Sequence, residues 1–203
     1  MAPLAPADPP LHARHLPSPR IAMRLPQRLR TPLLVLLASL AAGCVTRAPR
    51  DMAAPLTFVV VRHAEKATDD PEDPSLSAAG RIRADALASR LSDEPLVAVY
   101  ATEFRRTRQT AQPTATAHRL PVAAYYARGP ATEIAGQWRQ AHRAGTVLVV
   151  GHSNTVPDLV AALCACATAP MDDGEYDRVS IVRIGADGIA TLDVQRYGTA
   201  PPR

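Results

Sequence analysis

Phe58-Val59-Val60-Val61-Arg62-His63-Ala64-Glu65-Lys66 passes abruptly from an apolar run into a cluster of charge. From Leu56 to Val61 the residues are mostly β-branched or aromatic, without the polar alternation of a half-exposed strand. Such a run reads as a strand buried on both faces, as in the middle of an α/β sheet. Arg62 and His63 then fall at its C-terminal end, the edge where open α/β sheets bind ligands. Val147-Leu148-Val149-Val150-Gly151-His152-Ser153-Asn154 has the same shape. Two buried strands each deliver a histidine to the carboxyl edge.

Around these strands the pattern alternates. Ser77 is placed to N-cap a helix in which Ile82, Ala86, Leu87 and Leu91 recur at helical spacing, and Pro95 stops it. Leu96–Tyr100 reads as a second buried strand. It leads into Thr102–Ala111, which begins a helix that Pro113 either tolerates in its first turns or kinks. Pro121–Tyr125 reads as a short strand and Ala131–Arg143 as a helix that Gly145 ends. Thr146–Val150 is the strand before His152, and Pro157 lies early in the next helix. Tyr176–Ile184 and Ile189–Tyr197 flank Gly185-Ala186-Asp187-Gly188, a hairpin signal. The expected fold is a three-layer α/β/α sandwich over residues 56–198, its central sheet mostly parallel with an antiparallel edge.

The 203 residues suffice for one domain plus a leader, and 47% hydrophobic with 21% charged residues is ordinary for a globular chain. The net charge of +4 is unevenly placed. Before Cys44 lie Arg14, Arg20, Arg24, Arg28 and Arg30 against Asp8 alone, so the remainder keeps 18 of 23 basic and 18 of 19 acidic residues. A neutral folded part offers no electrostatic footprint for nucleic acid. Residues 1–22 read as disordered or untranslated, with Met23 a natural start. Met23–Arg30 is a positive n-region and Leu33–Ala42 an apolar h-region too short to span a bilayer. Leu40-Ala41-Ala42-Gly43-Cys44 resembles a bacterial lipobox. That resemblance implies acylation of Cys44, residues 45–55 as a tether, and a periplasm-facing place on the cell envelope, with Val45 favouring the outer membrane. Cys164 and Cys166 read as small buried residues at a helix end. Two apart on a helix they point in different directions, and a disulfide becomes feasible only where the helix has already ended.

Arg62-His63, Arg106 and His152 converge on one sheet edge. Two guanidiniums match phosphate oxygens in planar forks, and a neutral imidazole can attack phosphorus. The arginines also oppose a proton on the nucleophile, and helix N-termini just after His63, Arg106 and His152 are expected to add N–H donors. Arg62-His63-Ala64-Glu65, Leu76-Ser77-Ala78-Ala79-Gly80, Thr102–Ala111 and Gly151-His152-Ser153-Asn154 together resemble the histidine phosphatase superfamily, with its phosphoglycerate-mutase-like fold, branch 1. The resemblance implies a metal-independent phosphomonoester hydrolase without a cofactor, acting on a small phosphorylated substrate. It makes His63 the nucleophile that forms a phosphohistidine, with Arg62, Arg106 and His152 completing the phosphate pocket. The family's second arginine stands four residues before the Thr of the Gln-Thr-Ala run, which selects Arg106 over Arg105.

Ala64 stands where the family usually has Gly, and its small size is expected to be tolerated. Ser153 replaces the Asp of the acid phosphatase and phytase branch. Glu133 is the available candidate for a general acid between the second and third motifs, against the plain alternative of a carboxylate favoured in a helix's first turn. Glu65 and Lys66 are given supporting roles, and His118 and His142 are read as surface residues. Three other readings remain: a non-catalytic phospho-ligand-binding envelope lipoprotein; a phosphomutase, which the short chain without an insert disfavours; and a metal-dependent hydrolase, which the lack of a His-x-His or His-Glu-x-x-His pattern disfavours.

Overall fold

Strand β1 (Leu56–Arg62) turns Phe58 and Val60 toward one core and Val59 and Val61 toward another, and all four are buried. This follows from the two-residue period of a strand: an unbroken apolar run needs cover on both faces. In the computed structural model, which describes residues 54–200, that cover is helical. The leader, the proposed acylation at Cys44 and most of the 45–55 tether lie outside the described residues.

After β1 the order is α1 (Ala78–Arg90), β2 (Leu96–Thr102), α2 (Arg105–Ala117), β3 (Val122–Tyr125), α3 (Ala131–Ala141), β4 (Gly145–Gly151), α4 (Val156–Cys164), β5 (Arg178–Ile184) and β6 (Ala190–Arg196). The six strands form one sheet in the order β3-β2-β4-β1-β5-β6. The first four are parallel, and β5 and β6 add the antiparallel edge. Leu87 and Leu91 near the end of α1 and Ala111 and Ala115 of α2 pack with Val59, Val61, Leu148 and Val150. Trp138 of α3 and Leu159 and Leu163 of α4 pack with Phe58, Val60, Val147 and Val149 on the other face. Each large side chain so buried stabilises the fold by about 1.5–3 kcal/mol. The α/β fold expected from the sequence is the fold observed.

Register positions the site. Val61 pairs with Val150 and Arg62 with Gly151, so the strands end level and His63 and His152 emerge side by side. The His63 amide donates to the Gly151 carbonyl at 2.9 Å, locking the two ends. Gly151 is required by crowding. A Cβ there would stand 2.9 Å from the Tyr125 hydroxyl and 3.1 Å from Thr155 Oγ1. Gly80 is required more strongly, since its Cβ would meet the Glu65 carbonyl oxygen at 2.3 Å. Here α1 presses against the segment after the first histidine, and Ser77 caps the helix by accepting from the Gly80 amide at 3.1 Å.

Three local expectations change. No helix starts directly after His63. A loop runs from Ala64 to Ser77, bridged at Lys66 and Leu76, before α1 begins. Pro113 lies inside α2 beyond its first turns. Cys164 and Cys166 are joined by a disulfide rather than being plain buried residues. Helix α4 ends at Cys164, and Ala165 turns left-handed at φ 52°, which brings the second sulfur back to the first. The condition under which sequence allowed a disulfide, a helix already ended, is met.

Candidate active site

Arg62 ends β1 and His63 follows it, His152 follows β4, and Arg106 stands in the first turn of α2. All four come together. The His63 and His152 ring centres are 5.3 Å apart, edge to face, and Nη2 of Arg106 lies 3.4 Å from Nδ1 of His152.

The hydrogen bonds fix both tautomers. Nδ1 of His63 is 2.8 Å from the Ala64 carbonyl, which can only accept, so Nδ1 carries the proton and Nε2 keeps the lone pair. Burial pushes the His63 pKa down to about 3. The Ala64 bond opposes that shift, and Arg62, His152 and Arg106 reinforce it. The arginines therefore help keep His63 neutral, as expected, but desolvation is the larger cause. At His152 the guanidinium of Arg106 can only donate to Nδ1, so Nε2 carries the proton and donates to Thr102 Oγ1 at 3.0 Å. Thr102 in turn donates to Thr107 Oγ1 at 2.8 Å, and Thr107 donates to the Phe104 carbonyl at 2.8 Å. Burial and then Arg106 lower the His152 pKa to about 4, with Glu103 pulling the other way.

The two arginines are held differently. Nη1 of Arg62 donates to the carbonyls of Asp172 at 3.0 Å and Asp173 at 2.6 Å, and the ring of Tyr176 lies 4.2 Å below its Cζ. Arg106 stacks on Phe104 at 4.4 Å, with Asp73 3.6 Å from Nη1, beyond hydrogen-bond distance. Nε of Arg62 and both Nε and Nη1 of Arg106 are buried without a hydrogen-bond partner. Buried donors of this kind mark a site made for an acceptor that the protein itself does not supply.

Supporting residues come from the same motifs. Thr110 Oγ1 accepts from the Ala64 amide at 2.9 Å and donates to the Arg106 carbonyl at 2.7 Å, tying the loop after His63 to α2. Gln109 accepts from the Leu76 amide at 2.7 Å. Glu65 pairs with the buried Arg83, with Nη2 of Arg83 2.6 Å from Oε1, and thereby fixes the loop against α1. Ala64 is fully buried. Among the described residues, only Arg119 and Ala165 are non-glycines with positive φ, so glycine's conformational freedom is not needed at Ala64.

Glu133 is not part of this cluster. It is exposed in the first turn of α3 and lines a groove with Tyr100, Tyr126, Gln137 and Trp138, which none of the four site residues shares. Asp73 and Asp173 stand 3.6 and 3.8 Å from the guanidiniums of Arg106 and Arg62, and Glu103, Glu175 and Glu65 also act on the cluster's charges. His118 and His142 are half-buried and bonded, His118 to the Leu91 carbonyl and His142 to the Tyr100 hydroxyl. Thr102, Thr107 and Thr110 stand within a motif that is plain in the sequence, but sequence reasoning assigns them no role. Their signal is three threonines in a run too polar for an ordinary core helix. Tyr176, Asp172 and Asp173 carry no signal, because nothing in their order links them to Arg62.

Comparison with known proteins agrees with this architecture. Residues 58–127 match the family model of the histidine phosphatase superfamily (branch 1). No curated protein matches the chain. Among solved structures, the protein histidine phosphatase SixA complexed with tungstate is 22% identical with a TM-score of 0.55, covering 70% of this chain and 96% of that one. A phosphoserine phosphatase from Entamoeba histolytica, in complex with 3-phosphoglyceric acid, is 13% identical with a TM-score of 0.54, covering 71% and 98%. A mycobacterial glucosyl-3-phosphoglycerate phosphatase is 16% identical with a TM-score of 0.53, covering 70% and 99%. At these identities the structures share a fold with the chain. The match over residues 58–127, together with the sheet order that sets two histidines side by side, makes this part of the chain similar to the histidine phosphatase superfamily, branch 1.

Proposed function

We propose that the protein is a phosphomonoester hydrolase acting through a phosphohistidine on His63. The observation that carries this reading is a neutral, buried His63 with its Nε2 lone pair uncommitted, beside two guanidiniums with unpartnered N–H groups. Nε2 attacks phosphorus, and the ester P–O bond breaks. The leaving oxygen departs with the bond pair and takes its proton from solvent. Water then attacks phosphorus and the P–N bond breaks. Inorganic phosphate leaves with the water's oxygen and protons, and His63 is returned neutral with its Nδ1 proton in place. Arg62 and Arg106 neutralise the equatorial oxygens, the main requirement of phosphoryl transfer, so the reaction needs no metal. A dianionic phosphoryl group reverses the local field and favours protonation of His152, which then donates to it.

With Glu133 outside the cluster, the favoured substrates are small phosphorylated compounds whose leaving group departs readily. The neighbours' named substrates, phosphoserine and glucosyl-3-phosphoglycerate among them, are alkyl phosphates with poorer leaving groups and set the demanding end of the range to be tried. The lipobox-like stretch at Cys44 supports a lipid anchor and a periplasm-facing position for this activity.

The test is hydrolysis of an activated aryl phosphate with and without a chelator. His63→Ala should lose about 10³-fold or more, and Glu133→Gln should stay within about twofold. Trapped enzyme should carry acid-labile phosphate on His63. Phosphate binding without turnover in well-folded protein would instead support the non-catalytic phospho-ligand-binding lipoprotein.

A further inference from the structure

The segment between α4 and β5 is far in sequence from both histidine motifs, yet it holds Arg62. It supplies two carbonyls, Asp172 and Asp173, and the Tyr176 ring to that one guanidinium. A second buried arginine clasps the same segment from below. Arg178, on β5, donates from Nη2 to the Ala169 carbonyl and from Nη1 to the Pro170 carbonyl, both at 2.8 Å, and pairs with Glu175 at 3.4 Å. Arg178 is only 7% exposed. Burying a guanidinium is costly unless its donors are matched, and here both terminal nitrogens are matched, to two loop carbonyls and Glu175, while Nε has no partner. Met171, between the two clasped pairs, is buried against the sheet core, and Thr168 Oγ1 donates to the Pro157 carbonyl at 3.0 Å. At the start of the segment the Cys164–Cys166 disulfide closes the turn out of α4.

We propose that Arg178 and the Cys164–Cys166 disulfide are positioning elements for phosphate recognition: they fix residues 165–177 as a strap whose carbonyls set the guanidinium of Arg62. Neither element touches the substrate's place. Arg178 holds the carbonyls of residues 169 and 170, Arg62 is held by those of 172 and 173, and the chain between them is too short to let one pair move without the other. The hydrogen bonds that orient Arg62 go to neutral backbone carbonyls, and the one carboxylate the segment pairs with it, Asp173 at 3.8 Å, is solvent-exposed and screened. This rests on the reading of Arg62 as a phosphate ligand.

The experiment is a double-mutant cycle read by calorimetry with inorganic phosphate, which needs no turnover. Arg178→Gln should weaken phosphate binding about tenfold in the wild-type background and almost not at all on an Arg62→Ala background, because only a misplaced Arg62 carries the loss. With an aryl phosphate, KM should rise by the same factor while kcat changes little. The Cys164→Ser/Cys166→Ser double variant should show the same coupling in smaller degree, and it serves alone if Arg178→Gln does not fold. An equal loss on both backgrounds, or a lowered melting temperature with phosphate affinity unchanged, would overturn the strap alone. Wild type that binds no phosphate would overturn the phosphatase reading and the strap with it.

Discussion

The two halves of the site are built from different materials. In the β1 half, the hydrogen bonds of Arg62 and His63 go to backbone: the carbonyls of Ala64, Asp172 and Asp173, and an amide bond to Gly151, with the Tyr176 ring and the Asp173 carboxylate beside Arg62. In the other half, Arg106 and His152 lean on side chains: Thr102, Thr107, Phe104 and the carboxylate of Asp73. A backbone carbonyl neither titrates nor changes rotamer, whereas a threonine or an aspartate can turn away. On the proposed mechanism, the hydrogen bonds of the half holding His63 are thus set before substrate arrives, and the other half can exchange its partners for phosphoryl oxygens. Preorganisation of this kind costs nothing at the moment of reaction.

The strongest way to break this contrast is to remove each arginine. Arg62→Ala and Arg106→Ala should both lower kcat/KM on an aryl phosphate by about 10²-fold or more. Only Arg62→Ala should also lower stability, by about 1 kcal/mol or more in denaturant unfolding, because it strips two carbonyls of their donor. Equal stabilities would erase the distinction.

Acid sharpens it next. Folded pKa values of about 3 for His63 and about 4 for His152 lie below the ordinary histidine value of 6.5. Unfolding therefore takes up protons between those values. Stability is complete above the unfolded pKa and falls as pH drops toward the folded ones, with a slope of about 1.4 kcal/mol per pH unit for each histidine. His63→Asn and His152→Asn should each remove about one proton's share of that slope near pH 5. Denaturant titrations across pH 4.5–7 would measure it, and an unchanged slope in either variant would mean that histidine titrates normally.

The smallest effect concerns Asp73. It stands 3.6 Å from Arg106 and accepts the Arg105 amide at 2.9 Å, on a loop that Asp69 and Asp70 stitch internally. If it is an exchangeable partner, Asp73→Asn should tighten inorganic phosphate by about two- to fivefold. Weaker binding would show that Asp73 positions Arg106 and that the two halves work alike.

Legibility followed period and spacing. The double-buried strands were plain in Leu56–Val61 and Val147–Val150, because a short apolar run without alternation must be covered on both faces. With those strands came the sheet and the pairing of two histidines at its edge. Gly80 and Ser77 were legible as a motif, but the reason for Gly80, the carbonyl of Glu65 pressing on it, exists only in three dimensions. Glu133 shows the limit. A carboxylate between two motifs fits a role by order alone, and α3 turns it to solvent. The strap on Arg62 was invisible for the complementary reason: its contacts use backbone carbonyls, which every residue carries, across more than a hundred positions. The disulfide depended on where α4 stops, and helix ends are the least readable feature of a periodic pattern.

The place of β1 between β4 and β5 also sets a schedule for assembly. Neither neighbour of the strand that presents His63 precedes residue 145, and β2, the next strand in the chain, never pairs with it. During synthesis β1 must wait, edges bare, while some eighty residues follow it from the ribosome. Closure over that span slows folding and leaves an apolar strand open to aggregation in the meantime. It also means that no N-terminal fragment short of β4 can bring the two histidines together, so competence arrives late and all at once.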